Sequence, residues 1–371
     1  MKILHVTKKY PNAMGGDAFV VYNLEKQQKK NGHKVFILTS NCDEIQNNSN
    51  LIKFGLKDKS RNLDRITVNR IISLIFLFLQ SFKILKQIKP DIVHSHSIDM
   101  GFILSFACKK YNIPIINTCH GVSFNDSQFS IFKRIIELFF LKTGRFNKII
   151  TVDQNSLEYF KENNINNVIY ISNGIDLDEF KKNKRSNNDK KLRIIFVGRL
   201  EEQKGLKYLI ESVKTLQNKE FELIIIGSGT QENKLRSLVK EYGLGEKIIF
   251  LGNKKNKETI RQLFNSDIFI LPSIWEGFPI TILEAWGASL PVIVTSVGGV
   301  SKICKNNKNA LIISSRSPKE ITNCLVTLIN DSGLRKTLGE NGRKLVEGKY
   351  NWKTIAEQMV NIYKRVIYEK N

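Results

Sequence analysis

Short apolar runs alternating with amphipathic stretches set the tightest limit on what this chain can fold into. "KILHVT" (2–7), "KVFILTS" (34–40), "DIVHSHS" (91–97), "PIINTCH" (114–120), "KIITVD" (148–153) and "VIYISNG" (168–174) are brief and almost continuously apolar. Such runs read as strands covered on both faces, as in a parallel sheet. Amphipathic stretches such as Ala18–Lys30 and Gly101–Tyr111 separate most of them. Strand, helix, strand, helix describes an α/β protein with helices on both sides of a parallel sheet. Ligands of such sheets collect at the carboxyl ends of the strands.

The stretch "DLDEFKKNKRSNNDKKLR" (176–193) has many charges and few apolar residues, and reads as an interdomain linker over 176–192. The alternation then restarts with "RIIFVGRL" (193–200), "FELIIIGSG" (221–229), "KIIFLGN" (247–253), "DIFILPS" (267–273), "LPVIVTSVGG" (290–299) and "ALIIS" (310–314). Helical patterns at Gly205–Leu216, Gln231–Tyr242 and Lys257–Asn265 lie between, and Trp352–Lys370 is one long helical pattern. With 371 residues, two domains are expected: 1–175, 193–350, and a terminal helix in 351–371. Two doubly wound halves on one linker imply a cleft, a common place for a ligand.

Apolar residues make up 42% and charged ones 25%, which fits a soluble globular chain. "MKILHVTKKYPN" is one strand and a polar loop, not a signal peptide. Cys42, Cys108, Cys119, Cys304 and Cys324 are scattered, odd in number and form no CxxC pair. That argues against a disulfide framework or a structural zinc site and for a reducing cytoplasm. The net charge is +23, from 58 basic and 35 acidic residues. It suits nucleic acid, an anionic membrane or an anionic substrate, or simply reflects a composition rich in Lys, Asn and Ile. No helix-turn-helix, zinc-finger or aromatic–basic pattern supports nucleic acid.

Several loops carry chemistry. "GRLEEQKGLKYLIES" (198–212) follows a strand and places Gly198, Arg199 and Lys204 before a helix starting near Gly205. Cations at a helix N-terminus suit a diphosphate, and a solvated loop in a basic protein looks the same. It is not a P-loop. Gly15 and Gly16 precede a long amphipathic helix, where paired glycines let backbone amides approach an anion or simply make a turn. "IGSG" (226–229) is a similar strand-end turn, and "ISNGIDLDEF" (171–180) holds an Asn-Gly turn. His94 and His96 alternate along their strand and are expected on opposite faces, which argues against a shared zinc ion. His120 ends a strand facing the expected cleft. In "WEGFPITILEAWG" (275–287), Glu276 and Glu284 flank a Gly-Phe-Pro turn and cannot share one straight helix. Glu276 beside backbone amides is suited to sugar hydroxyls, and Glu284 to those of a ribose.

Taken in order, Gly15-Gly16, "HSH" (94–96), "HG" (120–121), "NGID" (173–176), "GRLEEQKG" (198–205), "EGFPITILE" (276–284) and "GG" (298–299) resemble the retaining glycosyltransferases of GT-B fold with an E-x7-E element. The likeness spans nearly the whole chain. It implies two Rossmann-like domains facing across a cleft, with the terminal helix packing back on the first. It implies that Arg199 and Lys204 bind the donor diphosphate and that Glu276 holds the donor sugar, helped by Gly277, Phe278, Pro279 and Ile280. Glu284 would bind the ribose, Gly15 and Gly16 the phosphate, and His120 the transferred sugar. Gly198, Gly227 and Gly252 would admit the rest of the nucleotide. The donor would be a nucleotide sugar, UDP-linked in preference to GDP-linked, with no metal or other cofactor. Many relatives carry a Ser-x-Glu-like element near residue 150, where this chain has Asp153 and Gln154.

Two stretches of the first half are basic and apolar together: "RIISLIFLFLQSFKILKQIKP" (70–90) and "FKRIIELFFLKTGRFNK" (132–148). Both are expected to be too short and interrupted to span a bilayer. They suit core helices, or helices lying on the inner face of the cell membrane near a lipid-linked glycan acceptor. The expected function is thus hexosyl or N-acetylhexosaminyl transfer in cell-surface polysaccharide or glycoconjugate synthesis. A nucleotide-sugar epimerase or phosphorylase of the same fold is the alternative. A nicotinamide dehydrogenase is weaker, because no GxGxxG opens either half.

Overall fold

A computed structural model describes residues 1–10, 16–41, 50–54, 68–120, 131–154, 156–181, 191–216, 219–276 and 279–370. The chain forms two compact units, Met1–Ser172 with Trp352–Asn371, and Asn173–Asn351.

In the first unit β1 (Lys2–Lys9), α1 (Gly16–Lys30), β2 (Lys34–Asn41), β3 (Leu51–Lys53), α2 (Val68–Ile88), β4 (Ile92–Ser95) and α3 (Ile98–Lys110) come first. β5 (Ile115–Cys119), α4 (Ile131–Thr143), β6 (Lys148–Thr151), α5 (Ser156–Glu162) and β7 (Val168–Tyr170) follow. All strands pair parallel, in the order β3-β2-β1-β4-β5-β6-β7. The edge strand β3 was not read in the sequence: its apolar residues Leu51 and Ile52 are flanked by polar residues and Lys53, with no longer apolar run around them.

The second unit holds α6 (Leu177–Lys181), β8 (Leu192–Val197), α7 (Leu206–Lys214), β9 (Phe221–Ile226), α8 (Glu232–Glu241), β10 (Ile248–Gly252), α9 (Asn256–Phe264) and β11 (Ile268–Leu271). It continues with α10 (Ile280–Gly287), β12 (Val292–Thr295), α11 (Val300–Ile303), β13 (Leu311–Ile313), α12 (Pro318–Asn330) and α13 (Ser332–Gly348). Its strand order is β10-β9-β8-β11-β12-β13. Both sheets therefore reverse direction once, between β1 and β4 and between β8 and β11. The final helix, α14 (Trp352–Lys370), belongs to the first unit.

Packing follows the sequence periods. α14 buries Trp352, Ile355, Met359, Tyr363 and Val366, a three-and-four spacing that makes one apolar stripe. That stripe packs with Ile3, Leu24, Ile92 and Ile150, mostly from the first sheet. On a second core, α2 and α3 contribute Leu77, Ile84, Leu85 and Leu104. The segment expected to be a linker begins as structure: Phe180 of α6 is buried in the second unit's core. A polar stretch with one well-spaced aromatic can still be a helix when that aromatic has a core to enter.

Ile71–Ile88 corrects another expectation, being 18 residues long and apolar enough to cross a membrane by length and composition. A third of it is buried within the unit, so one stripe serves as a core helix.

Helix α10 is fixed by Trp286, which is fully buried and donates its indole N–H to the Asn309 carbonyl at 3.1 Å. Gly342 of α13 lies so close that a Cβ there would sit 2.0 Å from the Trp286 ring. Replacing Trp286 with alanine should destabilise the second unit by about 3–5 kcal/mol, because the close-packed glycine face cannot fill the void. Denaturant unfolding measures this, and a loss below about 1 kcal/mol would show that Trp286 does not anchor α10.

Candidate functional site

Parallel sheets bind ligands at the carboxyl end of the strands where the strand order reverses. In the second unit that point lies between β8 and β11, and the predicted residues of both loops meet there. Lys204 ends a single 3-10 turn, Glu202–Lys204, after β8. Its ammonium pairs with the Glu276 carboxylate from the loop after β11. Ser273 Oγ donates to the same carboxylate oxygen, Oε2, at 3.0 Å. Ser273 and Glu276 are both buried.

Gly205 makes this approach geometrically necessary. Its φ is +67°, in the left-handed region, and a Cβ there would meet the Pro272 carbonyl oxygen at 2.1 Å. Backbone joins the loops as well: Ile274 N–H donates to the Gln203 carbonyl at 2.7 Å. Thr295 Oγ1, on the neighbouring strand β12, donates to the Ser273 carbonyl at 2.5 Å. The sequence singled out Lys204 and Glu276 but missed Ser273 and Thr295. The signal for Ser273 was its place at the end of "DIFILPS", one residue past a proline that closes the strand.

The glycines form a row beside this pair. Gly198, Gly227 and Gly252 stand at the carboxyl ends of β8, β9 and β10, which are neighbours in the sheet. Gly198 N–H donates to the Ile226 carbonyl and Gly227 N–H to the Gly252 carbonyl, both at 3.0 Å. Gly227 has a φ of +139° and a Cβ there would meet the Gly198 carbonyl oxygen at 1.9 Å, so only glycine lets the loops close. Gly252 faces open space. Arg199 is exposed. Glu201 ties the β8 loop to the β9 loop, accepting from Thr230 Oγ1 at 2.6 Å and Thr230 N–H at 3.1 Å. The Thr230 hydrogen bond first, then the Thr230 amide and the Arg199 charge, hold the Glu201 carboxyl below its usual range.

Pro279 is the extended N-cap of α10 and Ile280 its first residue, so Glu284 stands on the fifth helical position and Glu276 in the loop before. The two acids are therefore on different elements, as the proline requires. Burial pushes the Glu284 carboxyl up from 4.5 to about 7, and the Glu179 charge adds to this. Hydroxyl donors to its ionised form would bring that value back down. Gly15, Gly277 and Phe278 lie outside the described residues, and Gly16 is the first residue of α1.

In the first unit the histidines depart from expectation. His94 is on β4, but His96 is one residue past the strand's end, so the alternation of faces no longer applies. Their ring centroids are 4.1 Å apart. His5, from β1, joins them, with nitrogens of all three within 4.8 Å of one another. Each has hydrogen-bond partners within the unit: His5 with Gln28 and His96, His94 with Tyr363 and Thr118, and His96 with His120. His120 is thus reached through His96, at 3.1 Å. His5 and Gln28 were missed because each lies alone in an ordinary strand or helix pattern. Asp153 accepts from Ser156 Oγ at 3.0 Å at the start of α5.

Two Rossmann-like units with their loops gathered at strand ends are the GT-B architecture. Comparison with known proteins places the chain further. Residues 178–345 match the family described as Glycosyl transferases group 1, and residues 14–179 match Glycosyltransferase Family 4. An uncharacterized glycosyltransferase of Methanocaldococcus jannaschii, MJ1607, is 31% identical over 98% of both chains. The UDP-Gal:alpha-D-GlcNAc-diphosphoundecaprenol alpha-1,3-galactosyltransferase of Escherichia coli is 28% identical over 85% of this chain and 86% of its own. The crystal structure of Anabaena Alr3699/HepE in complex with UDP and glucose superposes with a TM-score of 0.78 at 16% identity, covering 98% of this chain and 99% of that one. The chain belongs to the group 1 glycosyl transferases.

The Glu284 environment predicts a pH dependence. Below pH 4.5 the carboxyl is protonated in the folded and unfolded chain alike, and it adds no penalty. Between 4.5 and about 7 the unfolded chain releases the proton and the folded chain keeps it, so stability falls as pH rises and levels off above that window. Glu284→Gln removes this loss, and its advantage over the wild type should grow by on the order of 2–3 kcal/mol from pH 4 to pH 8. Denaturant unfolding across that range reads it, and parallel pH profiles for the two proteins would contradict the assignment.

Proposed function

We propose that the protein transfers a hexose or N-acetylhexosamine, with retention, from a nucleotide sugar to a glycan or lipid-linked glycan during cell-surface polysaccharide or glycoconjugate synthesis. The Lys204–Glu276 pair at the sheet's reversal point carries this reading, because it puts a cation and a hydroxyl acceptor side by side where a ligand is expected. A sugar diphosphate needs both together. Lys204 meets the diphosphate with Arg199, and Glu276 meets sugar hydroxyls. Glu284 takes the ribose hydroxyls, and the row of Gly198, Gly227 and Gly252 leaves space for the rest of the nucleotide. Pro279 and Ile280 lead into the helix whose first amides flank the sugar. His120 and Gly16, of the first unit, keep the sugar and phosphate roles that the resemblance implies.

A UDP-sugar is the favoured donor. The HepE structure holds UDP and glucose, and the Escherichia coli relative is named for a UDP-galactose donor and a lipid diphosphate acceptor.

The reaction breaks the bond between the anomeric carbon and the phosphate oxygen through an oxocarbenium-like transition state. Negative charge grows on the departing diphosphate, and the Arg199 and Lys204 charges would offset it, Lys204 being already held in place by Glu276, which is where preorganised electrostatics act most strongly. The reading therefore needs no resident metal. A phosphate oxygen takes the acceptor hydroxyl's proton on the face being vacated, so the new bond keeps the old configuration.

The same proposal places the protein on the inner face of the cell membrane. Ile71, Ile75, Phe76, Phe78 and Leu79 of α2, Phe106 of α3, and Ile131, Ile135 and Phe139 of α4 are exposed. Ring contacts from Phe78 to Phe106 and from Phe102 to both Phe106 and Phe139 join the three helices into one apolar surface. Lys83, Lys86, Lys142 and Arg145 are exposed on the same or adjoining elements, and the Arg145 guanidinium lies over Phe106. Apolar side chains beside cations suit an anionic bilayer surface, where each cation contributes about 1 kcal/mol.

Two measurements check this function. Lys204→Ala and Glu276→Ala should each lower sugar transfer by about a hundredfold or more with the fold intact; near-full activity in either would sink the site assignment. Vesicles containing anionic lipid should sediment the protein at low salt and release it at high salt, with Leu79→Glu weakening capture. Equal recovery with neutral and anionic vesicles would remove the membrane proposal.

A further inference from the structure

The histidine chain of the first unit has a direction. Gln28 Oε1 lies 2.8 Å from His5 Nε2, His5 Nδ1 lies 2.9 Å from His96 Nε2, and His96 Nδ1 lies 3.1 Å from His120 Nε2. From the other end of the same amide, Gln28 Nε2 lies 3.4 Å from the Tyr363 hydroxyl. That hydroxyl lies 2.6 Å from His94 Nδ1, and His94 Nε2 lies 2.7 Å from Thr118 Oγ1. Gln28, His5, His94 and Tyr363 have no exposed surface, and His96 almost none.

Burial keeps the inner histidines neutral, so each holds a single proton. A neutral imidazole donates from one nitrogen and accepts at the other. The amide oxygen of Gln28 has no proton to give, so His5 donates from Nε2 and accepts at Nδ1. His96 must then donate from Nε2 and accept at Nδ1, and His120 must donate from Nε2. The second arm agrees. A phenol is more acidic than a neutral imidazole, so the 2.6 Å contact is an O–H of Tyr363 donating to His94 Nδ1. The Tyr363 oxygen is thereby an acceptor, which matches the NH2 end of Gln28. Turning that amide by half a rotation would reverse the protons of the His5–His96–His120 arm and set the amide oxygen, not its NH2, against the Tyr363 oxygen.

We infer that Gln28 is a positioning residue which, through His5 and His96, fixes His120 in the tautomer with Nδ1 unprotonated, so that His120 receives a hydroxyl of the bound sugar as a hydrogen-bond acceptor. The sugar's identity as the ligand rests on the function proposed above; the proton order does not. An acceptor nitrogen selects a hydroxyl over an ether or carbonyl at the same point, so Gln28 acts on substrate choice from two residues away.

The five histidines can be labelled with 15N and their ring-nitrogen shifts read in the ligand-free protein at neutral pH. The expected result is a proton on Nε2 of His5, His94, His96 and His120. A proton on Nδ1 of His5, His96 or His120 overturns the inference, whatever the protein transfers; the transfer reading is tested separately by Lys204→Ala. Gln28→Leu should give His120 a mixture of tautomers and lower kcat/KM about tenfold while leaving the affinity for free nucleoside diphosphate unchanged. An unchanged His120 spectrum in that variant, or unchanged kcat/KM, contradicts the positioning role.

Discussion

A nearly buried lysine–glutamate pair is costly to assemble and costlier to leave half-made. Lys204 and Glu276 are both shielded from water, so the second unit must supply the geometry that keeps them together. It does so with means that are visible one at a time. β8 and β11 are adjacent because the strand order reverses there. Gly205 adopts a left-handed turn against the Pro272 carbonyl, which leaves no room for a side chain. Ser273 adds a hydrogen bond to the carboxylate, and Thr295 holds the backbone of Ser273. The paired charges are therefore held in place by contacts within the unit itself.

The first unit meets the same demand with neutral groups. Its buried imidazoles are stripped of water and cannot hold charge, so each needs a donor and an acceptor in the right order. Strands β1, β4 and β5 bring the rings together, α1 supplies the amide, and α14 closes the network with Tyr363 while its apolar stripe covers the sheet. The terminal helix is thus core and polar partner at once. The membrane-facing reading concerns helices α2 to α4, whose apolar residues exceed what the core beneath them uses.

Much of the fold was legible in the sequence because parallel sheets write themselves as apolar runs. Among the described residues the second sheet has six strands, all of them read in the sequence, and the first has seven, of which six were read. Leu51–Lys53 was lost because it ends in a lysine beside a polar stretch, without the longer apolar run that marked the equally short Val168–Tyr170 and Leu311–Ile313. Phe180 was lost because a charged surrounding hid one core-seeking ring. In the site, Lys204, Glu276 and the glycines at 198, 227 and 252 are brought to one end of one sheet, as their strand-end positions implied. Ser273, His5 and Gln28 were not legible, since each acts through a partner distant in sequence. The opposite-face reading of His94 and His96 failed for a local reason: the strand stops at Ser95.

The central claim is that the Lys204–Glu276 pair grips a sugar diphosphate with its cation on the phosphates and its carboxylate on the sugar. Calorimetric titration of UDP and of a UDP-sugar into the wild type, Lys204→Ala and Glu276→Ala separates those two roles. Lys204→Ala should weaken both ligands by about tenfold or more, whereas Glu276→Ala should leave UDP binding near the wild-type value and weaken the UDP-sugar alone. Equal losses for both ligands in both variants, or none in either, would contradict it.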